Sequence, residues 1–309
     1  MRFLKGHGTG NDFVVLPDPD GQLTLTPQLV RQLCDRRFGI GADGVLRVVR
    51  TAYADTGLRA EDAAQTDWFM DHHNADGTTA EMCGNGIRLY ASYLAEIGQV
   101  GPGSHQIATR GGVRTVEVPA RGGEVTVDMG APVLASAAGG TESSQSAVVG
   151  GRRFNGVPVS LGNPHLVCAA TGVATLDLSG PLIVSDRAFP DGANVEFFEW
   201  VTHEEPGAAA RVSAEDSLKA LPVQGRVRMR VVERGVGETL SCGTGACAVA
   251  AAALGAPGCA VEIDVPGGRL LVGWTEQTML LSGPALIVAE GTWRGTADGA
   301  WRGTEQRSW

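Results

Sequence analysis

Short runs of apolar and β-branched residues, each bounded by Gly, Pro or Asp, recur along most of the chain and predict β-strands. The clearest runs are DFVVLPD, GVLRVVR, VRTVEVPA, GEVTVDMG, PHLVCAA, RVRMRVVE and GCAVEIDV. Helical periodicity is confined to a few segments. The pattern therefore predicts an α+β fold with mostly antiparallel sheets.

Three segments carry helix start and stop signals. In TPQLVRQLCDRRFG, Thr26 is the expected N-cap, Pro27 takes the first helical position and Gly39 is the expected stop. The stretches GIRLYASYLAEIG and GACAVAAAALG are expected to stop at Gly98 and Gly255. Each of these two helices follows a Cys-Gly-x-Gly sequence, so we expect a cysteine at each helix N-terminus.

The chain contains an internal repeat. GTGNDFVVL resembles LGNPHLVCA, which matches Asn11 with Asn163, and EMCGNGIRLYASYLA resembles LSCGTGACAVAAAAL, which matches Cys83 with Cys242. The two pairs occur in the same order and at nearly the same spacing. Duplication explains two matches in register better than chance does, so we expect two pseudo-symmetric lobes of similar topology.

The repeat also predicts the domain boundaries. The N-terminal lobe is expected to cover residues 1–129, with a last strand near 284–292 that could return to it, and the C-terminal lobe to cover 130–283. Residues 293–309 lack helix or strand periodicity and are expected to form a mobile tail. Three small, polar, aperiodic segments are expected to be surface insertions, namely 51–67, 135–151 and 203–220.

Composition narrows the class of protein. A chain of 309 residues, 43% apolar and 19% charged, is long enough for two globular domains. Its net charge of −9 argues against nucleic acid or an anionic membrane surface as the main partner. The N-terminus has no apolar signal-peptide core, and the most apolar helix is too short to span a bilayer. We therefore expect a cytoplasmic protein.

In the cytoplasm the six cysteines should be reduced, and none of them forms a CxxC pair that would indicate zinc or redox chemistry. A thiol pKa of ~8.5 falls at a helix N-terminus, because the N–H dipoles there favour the thiolate. Two such cysteines could act on opposite faces of one carbon, one removing a proton as thiolate and the other delivering a proton as thiol. No pyridoxal lysine or metal cluster is evident, so helix dipoles would have to stabilise the negative charge.

Five motifs together resemble the diaminopimelate epimerase family of pyridoxal-independent amino-acid epimerases. They are GHGTGNDFVV, NADGTTAEMCGNGIR, LGNPHLV, GANVEF and ERGVGETLSCGTGACA, and the similarity runs from Lys5 to about Gly283. The resemblance implies the cofactor-independent interconversion of LL- and meso-diaminopimelate, which leads to lysine and peptidoglycan. It also implies that each lobe wraps a sheet around a central helix, with the active site in the cleft between the lobes.

The resemblance implies roles for particular residues. Cys83 and Cys242 would be the paired bases, and Glu233 and His165 would support their proton transfer. The implied substrate contacts are Asn11, Asn74, Gly84, Asn85, Asn163, Asn194, Glu233, Arg234, Gly243 and Thr244. One position departs from the family pattern, because many members have Gln where this chain has Gly44.

Each of these residues also has a structural interpretation. Cys34, Cys168, Cys247 and Cys259 lie among apolar neighbours and are expected to be buried hydrophobes. The asparagines could simply cap turns, Arg234 could be a solvated charge, and His165 is as readily a structural histidine as a functional one. For Cys83 and Cys242, the duplication favours function.

Two rival functions stay open on the sequence alone. A proline or hydroxyproline racemase would use the same two cysteines on a smaller substrate, although such a substrate has little use for Arg234. A redox-regulated binding protein would use the cysteines only as a switch disulfide. For the epimerase, the expected partner is a small-molecule substrate, and a homodimer is a further hypothesis.

Overall fold

The computed structural model describes most of the chain, namely residues 1–120, 123–134, 145–185, 188–203 and 218–295. Most of the expected C-terminal tail (296–309) lies outside the described residues, as do the first ten residues of the second insertion (135–144) and most of the third (204–217). The first insertion is described throughout. It contains a single 3₁₀ turn at Thr51–Tyr53 and a one-turn helix at Ala60–Ala63.

Strands dominate the secondary structure, and the α+β class is confirmed. The strands are β1 (Arg2–Gly8), β2 (Asn11–Pro17), β3 (Gly44–Arg50), β4 (Trp68–Asn74), β5 (Gly103–Thr109), β6 (Gly112–Val118), β7 (Val125–Gly130), β8 (Val133–Leu134), β9 (Gln145–Val149), β10 (Arg152–Ser160), β11 (Pro164–Ala169), β12 (Ile183–Val184), β13 (Asn194–His203), β14 (Val223–Glu233), β15 (Gly237–Thr239), β16 (Cys259–Val265), β17 (Gly268–Trp274), β18 (Met279–Gly283) and β19 (Ala285–Thr292). The α-helices are α1 (Pro27–Cys34), α2 (Ala60–Ala63), α3 (Gly84–Glu96) and α4 (Gly243–Leu254). None of the helices within the described ranges is long and apolar enough to cross a membrane.

The chain divides into two compact units. Unit 1 comprises Met1–Val125 together with the segment that begins at Ala285, and unit 2 comprises Thr126–Pro284. In unit 1, β19 pairs antiparallel with β1, so the last strand belongs to the sheet that the first strand begins. The order of pairing then continues through β2, β3, β4, β5 and β6.

The two units repeat one pattern of strand pairing. In unit 1 the pairs from β1 to β6 are antiparallel, parallel, antiparallel, parallel and antiparallel. In unit 2 the same five steps connect β10, β11, β13, β14, β16 and β17. The internal repeat in the sequence thus corresponds to a repeated mixed sheet.

Each sheet surrounds one long helix. Helix α3 packs against β1, β2, β3, β4, β6 and β19, and α4 packs against β10, β11, β13, β14, β16, β17 and β18. A helix that is apolar on nearly every side must be surrounded by other elements in this way. Helix α4 meets it with small residues, since the run from Ala246 to Ala251 is buried throughout. Small side chains let the strands of the sheet approach the helix axis closely.

Both central helices end as predicted, whereas α1 does not. Gly98 follows α3 and Gly255 caps α4, each with a positive φ that favours glycine. Helix α1 begins at Pro27 after the Thr26 cap but ends at Cys34, not near Gly39. The Asp35 side chain accepts hydrogen bonds from the N–H groups of the next turn, which competes with continuing the helix.

The start of the expected tail is part of the core of unit 1. Trp293 is 7% exposed and lies in one apolar cluster with residues of β2, β3 and α1. Its backbone N–H donates to the carbonyl of Met1, and the Met1 amino group donates to the Trp293 carbonyl. This pairing extends the β1–β19 ladder by one position.

We predict that Trp293→Ala lowers the free energy of unfolding by roughly 3–5 kcal/mol, because it removes a large buried ring and leaves a cavity. Urea denaturation followed by far-UV circular dichroism measures the change. Arg294→Ala is the matched control, because Arg294 is exposed and its replacement should change stability by less than about 0.5 kcal/mol. Equal stability of the two variants would contradict this packing role.

Candidate active site

The two repeated cysteines are the N-caps of the two central helices. The Cys83 sulfur accepts the Gly86 N–H at 3.4 Å, and the Cys242 sulfur accepts the Gly245 N–H at 3.4 Å. Each sulfur therefore takes the place of a capping oxygen at the positive end of a helix dipole. The prediction of two cysteines at helix N-termini is confirmed.

In unit 1, two asparagines connect Cys83 to charged groups. Asn11 Oδ1 lies 3.6 Å from the Cys83 sulfur and 3.3 Å from Asn85 Nδ2. Arg88 donates to Asn85 Oδ1 at 3.0 Å, and Asn11 Nδ2 donates to Asp43 at 2.9 Å. Arginine has no acceptor and an ionised carboxylate has no donor, so these ends set the orientation of both amides. Asn11 consequently presents an acceptor to the Cys83 thiol.

Asp43 belongs to a cluster of charges at the start of β2. Arg36 bridges Asp12 and Asp43 at 2.7 Å each, and Lys5 lies 2.6 Å from Asp12. Burial would raise the pKa of the Asp12 carboxyl, but the hydrogen bonds from Arg36 and Lys5 outweigh it and hold that pKa well below the usual range. The cluster keeps Asp43 in position to orient Asn11.

Two expected features of unit 1 lie at the end of β4. Asn74 is exposed, and its side-chain amide donates to the Thr78 hydroxyl at 3.0 Å. Its partner across the ladder is Gly44, where a Cβ would lie 2.6 Å from the carbonyl oxygen of His73. In this chain, the close approach of β4 leaves no room for a side chain at position 44.

In unit 2, a longer series of contacts leads from Cys242 to a buried acid. The Cys242 sulfur lies 3.5 Å from Thr244 Oγ1, and Asn163 Nδ2 lies 3.3 Å from the same hydroxyl. Asn163 Oδ1 is 3.0 Å from His165 Nε2, and His165 Nδ1 is 2.7 Å from Glu196 Oε1. His165 and Glu196 are both fully buried.

Burial raises the pKa of the Cys242 thiol well above its ordinary value, and the charges of Glu233 and Glu196 raise it further. The Thr244 hydroxyl and the Gly245 N–H oppose that shift. Glu233 ends β14 and accepts a hydrogen bond from the Thr239 hydroxyl. The surroundings of Cys242 thus combine acidic groups that disfavour its thiolate with donors that favour it.

Asn194 and Arg234 lie together at the ends of β13 and β14. The Arg234 N–H donates to Asn194 Oδ1 at 2.9 Å, so the asparagine positions the backbone at this point. The Arg234 side chain is exposed, and one guanidinium nitrogen donates to the Asp191 carbonyl at 3.1 Å. Of the expected residues, Thr244, Asn163 and His165 follow Cys242 in one series of contacts. Glu233 acts on the Cys242 thiol through its charge.

The other cysteines are structural, as expected. Cys34, Cys168, Cys247 and Cys259 are each at most 5% exposed. Burial raises the pKa of the Cys34 and Cys168 thiols to about 12, which keeps them protonated at neutral pH.

Three residues of the site were not expected from the sequence, namely Glu196, Asp43 and Arg88. Glu196 lies within the GANVEF motif, two residues after Asn194, and alternation along a strand puts both side chains on one face of the sheet. That periodicity was the available signal. Asp43 follows the GIGA turn, and Arg88 is one helical turn after Gly84, the first residue of α3.

Solved structures with a similar fold include several epimerases. A "predicted epimerase" from Pseudomonas aeruginosa matches with a TM-score of 0.62 at 12% identity, covering 96% of this chain and 99% of that one. A hydroxyproline epimerase from Agrobacterium vitis matches with a TM-score of 0.55 at 14% identity, covering 94% of this chain and 90% of that one. At these identities the likeness shows the fold alone. The chain therefore belongs to the class of α+β proteins that share this fold.

The sequence comparisons are more specific. The family model described as Diaminopimelate epimerase matches residues 3–135 and 157–288. A diaminopimelate epimerase from Thermobifida fusca is 48% identical, covering 96% of this chain and 99% of the relative, and one from Mycobacterium tuberculosis is 44% identical, covering 94% and 96%. The chain belongs to the diaminopimelate epimerase family and is an isomerase.

We predict that Gly245→Ala impairs the protein far more than Gly86→Ala, its counterpart in unit 1. A Cβ on Gly245 would lie 2.6 Å from Glu196 Oε1, whereas one on Gly86 would lie 3.3 Å from the Leu46 side chain. Ala in a helix is normally favourable by up to ~1 kcal/mol, so Gly86→Ala should be nearly neutral in thermal stability. Thermal denaturation by circular dichroism compares the two. Equal melting temperatures would show that the first turn of α4 tolerates the methyl group.

Proposed function

We propose that this isomerase interconverts LL- and meso-diaminopimelate without a cofactor, and that Cys83 and Cys242 are its two acid–base groups. The observation that carries the proposal is the equivalent placement of the two sulfurs as N-caps of the two central helices. Membership of the family supports the choice of substrate. The chain matches relatives named diaminopimelate epimerase over nearly their whole length.

The proposed reaction conserves protons. The thiolate of one cysteine takes the proton from the substrate α-carbon, and the C–H bonding pair moves into the adjacent carboxylate. The thiol of the other cysteine then gives its proton to the opposite face of that carbon, which forms the new C–H bond and leaves a thiolate. The enzyme finishes with its proton on the other sulfur, so the reverse reaction can follow directly.

Helix N-termini are suited to the negative charge that builds up on the carboxylate. The first N–H groups of an α-helix have no partner within the helix, and the dipole there is positive. In α3 these groups belong to Gly84 and Asn85, and in α4 to Gly243 and Thr244. We propose that they bind the reacting carboxylate and stabilise its dianionic form.

The remaining asparagines and Arg234 are proposed to select the substrate. Diaminopimelate has a second amino-acid group at its far end, which needs a cation for its carboxylate and carbonyl or carboxylate acceptors for its ammonium. The exposed Arg234 guanidinium meets the first need. Asn74, Asn194 and Glu233 are proposed to contact the rest of that group.

The two rivals make different predictions about exchange with solvent. A proline or hydroxyproline racemase would incorporate deuterium from D₂O into proline but not into diaminopimelate. A redox-regulated binding protein would incorporate deuterium into neither compound. An assay of LL-diaminopimelate with proline as the control therefore tests all three functions together.

We propose that the reaction takes place in the cytoplasm. Both sulfurs must be reduced to exchange protons, and cysteines stay reduced in that compartment. A homodimer also stays a prediction, to be tested by light scattering on the purified chain.

We predict that Cys83→Ala and Cys242→Ala each lower kcat for epimerisation at least ~10²-fold to 10⁴-fold, the usual contribution of a general acid or base. Coupled assay of meso-diaminopimelate formation measures the loss, and circular dichroism checks the fold. Cys168→Ala is the control, because Cys168 is buried in an apolar cluster and caps neither central helix. If either capping-cysteine variant kept near-normal turnover, the two-base mechanism would be wrong.

We predict that Arg234→Lys raises KM for diaminopimelate by roughly 10-fold to 100-fold, because lysine keeps the charge but loses the bidentate geometry, at a cost of about 1–3 kcal/mol. Steady-state kinetics measures KM. Arg269→Lys serves as the control, since Arg269 is an arginine on β17 that pairs with Asp264. Unchanged kinetics in Arg234→Lys would assign Arg234 to the solvated surface.

A further inference from the structure

The repeat makes it possible to compare the two units position by position. In unit 1, β2 and β3 run parallel with Phe13 opposite Gly44, and in unit 2, β11 and β13 run parallel with His165 opposite Asn194. Phe13 therefore corresponds to His165. Two residues further along the second strand of each pair, Leu46 corresponds to Glu196.

These corresponding positions hold opposite kinds of side chain. Below the start of α3, Phe13 and Leu46 are apolar and at most 1% exposed. Below the start of α4, His165 and Glu196 form a fully buried pair 2.7 Å apart. Burying an ionisable pair is commonly no more stabilising than apolar side chains of similar size. Since unit 1 builds the same architecture with an apolar pair, the fold does not require the polar pair.

The polar pair is connected to Cys242 by a series of hydrogen bonds with a direction. Both ring nitrogens of His165 face acceptors, the Glu196 carboxylate and Asn163 Oδ1. Two facing acceptors leave His165 to donate from both ring nitrogens. Asn163 then turns its NH₂ toward the Thr244 hydroxyl, which is left to donate its proton to the Cys242 sulfur.

We propose that Glu196 is a positioning residue for Cys242: by holding His165 as a double donor, it orients Asn163 and Thr244 so that a hydrogen-bond donor faces the sulfur. The inference rests on the proposed role of Cys242 as a base. Without the Glu196 carboxylate, His165 is no longer held as a double donor, so Nε2 becomes an acceptor and Asn163 reverses. Thr244 then donates to Asn163 and accepts from the Cys242 thiol, which favours the protonated form.

The corresponding network in unit 1 has the other direction. Arg88 and Asp43 orient Asn85 and Asn11 so that an acceptor faces Cys83. A donor faces one sulfur and an acceptor faces the other, so the two networks favour opposite protonation states, and at Cys242 the donor opposes the effect of burial. The buried pair thus gives equivalent cysteines different surroundings.

A direct effect of the Glu196 charge would have the opposite sign. The carboxylate lies beneath Gly245, and a bare negative charge there disfavours the Cys242 thiolate, as Glu233 does. Removing the charge would then make Cys242 more reactive. If Glu196 acts through His165 instead, removing the charge makes Cys242 less reactive. The sign of the change therefore separates the two effects.

The test measures alkylation of the substrate-free, full-length protein by iodoacetamide, which reacts with the thiolate. Peptide mass mapping follows Cys242 and uses Cys83 as the internal reference. The variant is Glu196→Gln, which keeps the size and the acceptor for Nδ1–H but removes the charge. Glu199→Gln is the matched control, because it removes a charge from the same strand and breaks the 3.2 Å pair with Arg228. Residues 196 and 199 lie on opposite faces of that strand.

In Glu196→Gln, we expect iodoacetamide to alkylate Cys242 about tenfold more slowly, while the rate at Cys83 stays unchanged. A tenfold change corresponds to the loss of about one charge-assisted hydrogen bond. Glu199→Gln should match the unaltered protein. An unchanged or faster rate at Cys242 would overturn the proposal. The alkylation test uses no substrate, so it is independent of the epimerisation assay. The proposed role of Glu196 can be wrong while the enzyme epimerises diaminopimelate, and it can be right while the enzyme does not.

A double variant keeps the test decisive if Glu196→Gln does not fold. His165→Phe with Glu196→Leu introduces the apolar pair of unit 1 at the corresponding positions. We expect it to fold, with Cys168 still protected from alkylation, and to show slow alkylation of Cys242 with kcat reduced more than KM is changed. A folded double variant with normal Cys242 reactivity would also overturn the proposal.

Discussion

The hydrogen bond from a first-turn N–H group to a cysteine sulfur is the interaction around which each unit is organised. It joins Gly86 to Cys83 and Gly245 to Cys242. The N-terminus of a helix supplies the N–H donor for each sulfur. Each of these helices is apolar on nearly every side, so a sheet must surround it. The enclosing strands bring Asn11 to one sulfur directly and Asn163 to the other through Thr244. Packing and chemistry therefore depend on the same helix end.

Duplication supplied two helix starts, but an epimerase needs them to behave differently. Inversion at one carbon requires one sulfur to begin as base and the other as acid, so identical surroundings would leave the two competing for a single role. The backbone pairing is the same in both units, and the difference lies in the side chains beneath the helices. Phe13 and Leu46 in one unit correspond to His165 and Glu196 in the other. Side-chain substitution within a constant architecture is the simplest route to such asymmetry.

Local signals predicted the parts of the fold that local physics controls. Gly98 and Gly255 ended the central helices because a left-handed residue stops a helix wherever it occurs. Gly39 was a misleading signal. A Cβ there would clash with the Gln32 carbonyl oxygen. Glycine is therefore needed at this position because the chain folds back against α1, after the helix has already ended. Strand β4, WFMDHHN, was not predicted, because the polar residues Asp71 and His72 interrupt the apolar run although both are buried. Asp71 is stabilised there by Arg110, which lies 39 positions further along the chain.

The sequence by itself determined the α+β class, the duplicated plan, both capping cysteines and the family. Each of these depends on nearby residues or on a pattern that occurs twice in one chain. Only the tertiary structure decided what surrounds each sulfur. Glu196 on β13 reaches His165 on the neighbouring strand β11, and Asp43, just before β3, reaches Asn11 on β2. These contacts join residues about 30 positions apart, and no local preference encodes them, because the pairing of strands sets which side chains meet.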